Sequence, residues 1–216
     1  MARLWKIPLQ IPAPRPLAGL EALLRGMTEL TDPQLLARYG RGDEAAFEAL
    51  VHRHGASIKG YAIRMLQSPE QAEEIYAETL LRVATARGAW EDRGTVRSWL
   101  FTIAHRLCLD VLRRRATERR SVSGVLEISS TWSATPSPEA VAQLGEQAAR
   151  LEAALSRLST EHREVVLLRL VHGLSASEVA ASLGLREDQV HSQLSYARKR
   201  LAELLEAPAV RRKEAR

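Results

Sequence analysis

The chain has 216 residues, 45% hydrophobic and 5% aromatic, with a formal net charge of +5; that length suits one or two small domains rather than a single large core. Residues 1–26 hold four basic residues against one acidic, and residues 208–216 hold the same. The span between them is therefore nearly neutral, which excludes tight duplex binding by counterion release alone and requires any DNA contact of the folded part to be local or shared with a partner.

Residues 1–27 show no helical period until about Leu20 and read as a disordered extension. The segment LWKIPLQIPAPRPL is broken by prolines and lacks an apolar stretch of signal-peptide length. No apolar run reaches a membrane span, so a cytoplasmic location is expected. Met27 stands directly before strong helix-start signals and is a candidate natural start.

Residues 28–118 read as a first helical domain. Asp32 followed by Pro33 predicts an N-cap with proline at the first helical position, and Gly40 closes that helix. Asp43 opens a second, with Ala46, Phe47, Leu50 and Val51 on one face and the pattern continuing through Ile58, Tyr61, Ala62, Met65 and Leu66. Ser68, Pro69 and Gln71 start a third, whose stripe is Ala72, Ile75, Tyr76, Thr79, Leu80 and Val83 and whose other face carries Glu70, Glu73, Glu74 and Glu78. After a turn at Gly94, the strongest amphipathic pattern of the chain places Val96, Trp99, Leu100, Ile103, Ala104, Leu107 and Val111 on one face. The single cysteine, Cys108, excludes an internal disulfide and a multi-cysteine metal site and reads as a packed thiol.

Residues 119–145 lose the helical period and are rich in serine, threonine and proline, the composition of a flexible linker. Helical pattern resumes in a second domain over 146–206: Leu151, Ala154, Leu155 and Leu158, then a helix capped by Ser159 and closed at Gly173. Residues 207–216 read as a basic tail. The fold class is all-α, two small helical domains joined by a linker, since no alternating β-branched runs bounded by turns occur.

The segment LSASEVAASLGLREDQVHSQLSYARKRLAELL predicts a helix-turn-helix. Ser175 and Glu178 form a capping box, Gly184 suits the left-handed end of the first helix, and Val190, Leu194, Ala197 and Leu201 stripe the second. In such a unit the second helix presents its outward residues to the major groove. A plain antiparallel helix pair with a solvated basic end fits this segment alone equally well.

A helical domain ending in SWLFTIAHRLCLDVLRRR, a polar linker, and then LSTEHREVVLLRLVHGLSASEVAASLGL together resemble an extracytoplasmic-function (ECF) sigma factor, over roughly Thr28 to Glu206. The resemblance implies a subunit that binds core RNA polymerase, through its clamp helices and flap, and promoter DNA. An anti-sigma factor is a further expected partner, and no cofactor, metal or small-molecule substrate is implied. In that family the helix matching QAEEIYAETLLRVA docks on the clamp helices, giving Glu73, Glu74, Glu78, Thr79 and Arg82 that role. The fourth helix and the loop before it hold the melted minus-ten element, a task that needs apolar or aromatic surfaces for unstacked bases and cations for the strand. Trp90, Arg93, Arg97, Phe101, His105, Arg106, Arg113, Arg114 and Arg115 offer these, whereas Trp99 falls on the buried stripe. By the same resemblance Gln189, His191, Ser192, Gln193, Ser195, Tyr196 and Arg198 read the minus-thirty-five element, and Glu164 and Arg169 match the helix beside the flap contact or are exposed helix charges.

Two departures bear on specificity. Family members commonly carry asparagine where this chain has Arg106, and arginine pairs with guanine or holds phosphate, so minus-ten selection is expected to differ. Glu187 and Asp188 suit a helix N-terminus but meet phosphate repulsion in a groove, so weak or unusual upstream-element binding is expected. The alternatives are an autonomous helix-turn-helix regulator or a sigma-like protein that does not initiate. An enzyme ranks last: His52 and His54 face different ways on their helix, and His162 and Glu164 lack a catalytic partner.

Overall fold

The computed structural model describes residues 29–86, residue 90, residues 94–122 and residues 145–206. The N-terminal extension with Met27, Arg93, most of the expected linker, and the basic tail lie outside the described residues. Among the described residues eight α-helices and one π-helical turn occur, and no strand.

The first half is a four-helix unit: α1 (Asp32–Gly40), α2 (Glu44–Leu66), α3 (Pro69–Ala86) and α4 (Val96–Val122). The N-cap of α1 is Thr31 rather than Asp32, and the Thr31 amide donates to Gln34 Oε1 at 2.8 Å. Asp32 instead starts the first turn, where its carboxylate accepts from Arg53 and lies 2.7 Å from His54 Nε2. Burial alone would raise its pKa, but the hydrogen bonds and positive charge of His54 and Arg53 outweigh this and hold it below the usual value. His54 is thus buried and partnered.

Leu35 and Leu36 of α1, Ile58, Ala62, Met65 and Leu66 of α2, Ala72 and Val83 of α3, and Leu100, Ala104 and Cys108 of α4 form the buried core. Burial pushes the Cys108 thiol up to about 12, so it packs as an apolar group. Gly55 lets α2 and α3 approach closely: a Cβ there would lie 2.8 Å from the Tyr76 hydroxyl.

Helix α4 corrects two expectations. It runs to Val122, so its end overlaps the expected linker by four residues. Of its expected stripe Val96, Leu100, Ala104 and Leu107 are buried, but Trp99, Ile103 and Val111 are only partly so, and the buried face is widened by Phe101 and His105, 0% and 3% exposed.

The second half comprises α5 (Glu146–Ser156), α6 (Thr160–Val166), the π turn Leu167–Val171, α7 (Ala176–Leu183) and α8 (Glu187–Glu206). Ser159 caps α6 by accepting from the His162 amide. Ser175 and Glu178 form the expected capping box, and Gly184 ends α7 at φ +69°. Helix α8 lies across α6 and α7 through Val190, Leu194, Ala197 and Leu201. The buried Arg163 ties this half together by donating to the carbonyls of Leu155 (3.0 Å), Ser156 (2.7 Å) and Leu158 (2.9 Å).

The two halves pack against each other, α7 on α4 and α5 and α6 on α2. This contact covers the face of α4 that carries Phe101 and His105.

Candidate nucleic-acid and polymerase interface

The acidic face of α3 stands outward. Glu73 and Glu74 are exposed, Glu73 pairs with Lys59, and Glu78 accepts from Arg82 Nε at 2.9 Å one turn on. Thr79 differs: it is 0% exposed and its hydroxyl donates to the Ile75 carbonyl at 2.7 Å, so it shapes the helix and offers no surface. Leu81, 49% exposed, lies among Glu78, Arg82, Thr85 and Ala86, which together line a shallow depression. Sequence reasoning passed over Leu81, although an apolar residue interrupting an acidic face was the available signal.

On α4, Arg106, Arg113 and Arg114 are exposed, and Arg113 pairs with Asp110 at 3.3 Å. Arg97 is half-buried, its guanidinium 6.0 Å above the Phe101 ring. Arg115 is taken up by the fold, donating to the Leu66 carbonyl at 2.9 Å. Trp90 packs partly against the core.

Phe101 and His105 do not face solvent in this arrangement. Phe101 lies against His172 of the second half, ring centroids 4.5 Å apart at 38°, and Tyr61 contacts both rings edgewise, at 5.6 Å to Phe101 and 5.8 Å to His172. His105 Nδ1 meets the Tyr61 hydroxyl at 3.0 Å and the Glu164 carboxylate at 3.8 Å. Burial pushes Glu164 up to about 8, with the charge of Glu161 adding to it. Burial likewise brings His105 and His172 down to about 4, helped by Arg106 and Arg113 for the first and by Arg64 and Arg97 for the second. All three are therefore neutral near pH 7.

Glu164 is accordingly no exposed helix charge but part of the contact between the halves. Arg169 is also engaged, donating to the Leu174 carbonyl at 3.0 Å. His162 has partners as well: its Nδ1 lies 2.7 Å from the Ser159 hydroxyl, and its ring stacks on Tyr196 at 4.5 Å.

The outward face of α8 carries Gln189, His191, Ser192, Ser195, Tyr196 and Arg198, all exposed. Gln189 Oε1 accepts from the Arg186 amide at 2.9 Å, so half of its amide group caps the helix. Gln193 turns inward, its Oε1 buried without a hydrogen bond. Asp188 is bound by Arg186 at 2.8 and 3.0 Å, which neutralises part of the acidic N-terminus of the helix. Among the described residues no cluster of three or more potential metal ligands occurs, and no helix is long and apolar enough to cross a membrane.

The family model for Sigma-70 region 2 matches residues 50–118, and that for Sigma-70, region 4 matches residues 148–201. The ECF RNA polymerase sigma factor SigL of Mycobacterium tuberculosis is 33% identical over 162 residues, covering 72% of this chain and 86% of that protein. SigM of the same organism is 32% identical over 181 residues, covering 83% and 87%. Among solved structures, CnrH in complex with the cytosolic domain of CnrY superposes with a TM-score of 0.61 at 26% identity, covering 82% of this chain and 99% of that one. RpoE of Bartonella quintana, in complex with the anti-sigma factor NepR, shares the fold with a TM-score of 0.60 at 24% identity, covering 74% and 97%. Both halves and their order match, and the chain belongs to the ECF family of sigma-70 factors: it directs transcription initiation, and its partners are core RNA polymerase and promoter DNA.

Proposed function

We propose a division of labour among three surfaces. Glu73, Glu74, Glu78 and Arg82, with Leu81 between them, dock on the polymerase clamp helices. Trp90, Arg97, Arg106, Arg113 and Arg114, joined by Phe101 and His105 when the halves separate, hold the melted minus-ten strand; Arg93 in the preceding loop belongs to the same set. His191, Ser192, Ser195, Tyr196 and Arg198 read the upstream element. The observation that carries the reading is the two-sided build of α8, anchored by an apolar stripe while its reading residues stand exposed.

Upstream binding is weak, because Glu187 and Asp188 sit at the end of α8 that enters the groove and Arg186 is engaged by Asp188. Minus-ten selection is altered by Arg106. The chain works in the cytoplasm, and an anti-sigma protein is a further partner, as NepR is for the RpoE of similar fold.

Run-off transcription with purified core polymerase, the full chain and a library of randomised promoters tests this. Chain-dependent transcripts should share a well-defined minus-ten motif and a weaker upstream one. Core binding without transcripts would sink the assignment of the α4 surface, and a dominant upstream motif would sink the account of α8.

A further inference from the structure

Arg186, the residue directly before α8, stands outside the three surfaces. Its Nε and Nη2 donate to the two oxygens of Asp188 at 3.0 and 2.8 Å, a fork-on-fork pairing that fixes the guanidinium plane. We propose that Arg186 and Asp188 act as one unit, in which the carboxylate orients the guanidinium and the free guanidinium edge reads a guanine of the upstream element. The proposal rests on the reading of α8 as the helix that enters the groove.

A guanidinium has more N–H donors than this pairing uses, and its terminal nitrogens keep a parallel pair for another acceptor. The Arg186 side chain is 76% exposed, and among the described residues no other group meets that edge. Guanine offers the matching parallel acceptors in the major groove through O6 and N7. The backbone at Arg186 is held on both sides. Its amide donates to Gln189 Oε1 at 2.9 Å, its carbonyl accepts from the Val190 amide at 3.1 Å, and the Leu185 amide before it donates to the Ala180 carbonyl at 2.9 Å. The side chain therefore starts from a fixed point at the end of the helix that meets base edges in a helix-turn-helix.

The pairing speaks against a phosphate contact. Attraction to phosphate grows with positive charge, and Glu187 and Asp188 leave this end of α8 net negative despite Arg186. A paired guanidinium gives up most of that attraction but keeps its direction, since its plane no longer has to be ordered on binding. Weak attachment and selective reading thus come from the same carboxylate. A lysine, a point charge without the fork, could not hold carboxylate and guanine in one plane.

The randomised-promoter assay, run with core polymerase and the full chain, reads this as a base preference. The unaltered chain should favour guanine at one position of the upstream motif by roughly 5- to 150-fold, the range of a good bidentate contact. Arg186→Ala and Arg186→Lys should both lose that preference, although the lysine keeps the charge. Asp188→Asn separates orientation from repulsion: it removes a negative charge, so it should raise output that depends on the upstream element while flattening the guanine preference. Output that rises with the preference intact would make Asp188 a repulsive charge only and overturn the unit. So would the absence of a guanine preference in the unaltered chain, or one that survives Arg186→Ala. If the unaltered chain makes no transcripts, the initiation reading fails by itself, and random duplexes retained by the full chain at low salt decide the present proposal. Enrichment of a guanine that Arg186→Ala abolishes supports it, and retention without that enrichment, or no retention, overturns it.

Discussion

Packing within each half is chiefly apolar, and packing between the halves adds polar and ring contacts to a hydrophobic cluster that runs through both. Leu35, Ile58, Met65 and Leu100 are buried in the apolar core of the first half, whereas the contacts between the halves include Phe101 with His172, His105 with Glu164, Thr102 with Ser182 and Arg64 with Glu152. Apolar burial has no substitute in water, but a polar contact exchanges for hydration at small net change. The difference separates what must persist from what can open.

Arg163 gives the sharpest test, because it lies beside the contact yet belongs to the second half. Three of its bonds go to carbonyls of that half, and a longer one, 3.4 Å, reaches Met65 of the other. Arg163→Met removes the side-chain donor to the Ser156 and Leu158 carbonyls, while the Leu155 carbonyl keeps the Leu158 amide; at about 1–3 kcal/mol each, a loss of roughly 2 kcal/mol or more is expected in urea denaturation of the full chain. A loss confined to the contact, with the second half as stable as before, would erase the distinction. Ile58→Ala in the first half should cost about 2–5 kcal/mol by the same measurement, as large-to-small core substitutions do.

How far the sequence could be read follows the same division. The capping box of Ser175 and Glu178 and the left-handed Gly184 are local signals, legible because each acts over a few residues. The face of α4 was misjudged for the opposite reason. Its period correctly buries Val96, Leu100, Ala104 and Leu107 but overstates Trp99 and Ile103, and the second half covers Phe101 and His105 from a sequence distance that leaves no periodic trace. A histidine on a helix reads as surface until a Tyr61 hydroxyl and a Glu164 carboxylate are known to meet it. The candidate site was thus legible as a set of elements and illegible as a set of exposed side chains. Thr79 shows this within a single helix, since nothing in the sequence separates its buried hydroxyl, satisfied by its own backbone, from the half-buried polar neighbour Glu78.

The pH dependence of closure comes next in size and follows from the titrating groups of the contact. Glu164 on α6 is faced by His105 from α4 and has Glu161 on its own helix; His172 is faced by Arg64 from α2 and Arg97 from α4; His105 has Arg106 and Arg113 on its own helix and the Tyr61 hydroxyl from α2. Burial raises Glu164 from 4.5 to about 8, so the closed chain keeps a proton that the open chain releases, and closure weakens as pH rises through that interval. Burial lowers both histidines from 6.5 to about 4, so the open chain takes protons first as pH falls below 6.5, and closure weakens in that direction too. Below 6.5 the two histidines outweigh the single carboxyl, and above it the carboxyl acts alone. Scattering of the full chain should therefore show it most compact near pH 6.5 and expanding toward both 5 and 8. Glu164→Gln should remove the alkaline limb and leave the acid one, and a flat profile would show that these groups keep their burial when the halves part.

The smallest effect expected is that of Thr102→Val, and its smallness is what makes it informative. The substitution keeps the shape of the side chain and removes the hydroxyl that meets Ser182 and, within α4, the Ser98 carbonyl. A neutral hydrogen bond of this kind contributes about 0.5–1.5 kcal/mol net, enough to change the ratio of closed to open chains severalfold but not to unfold either half. Hydrogen exchange should therefore show faster exchange of the α4 and α7 amides that pack together, while amides around Ile58 and Leu194 keep their protection. Equal acceleration everywhere would mean that the contact and the cores unfold as one cooperative unit. The polar contact would then be part of the fold, with no independent opening for the polymerase or the promoter to exploit.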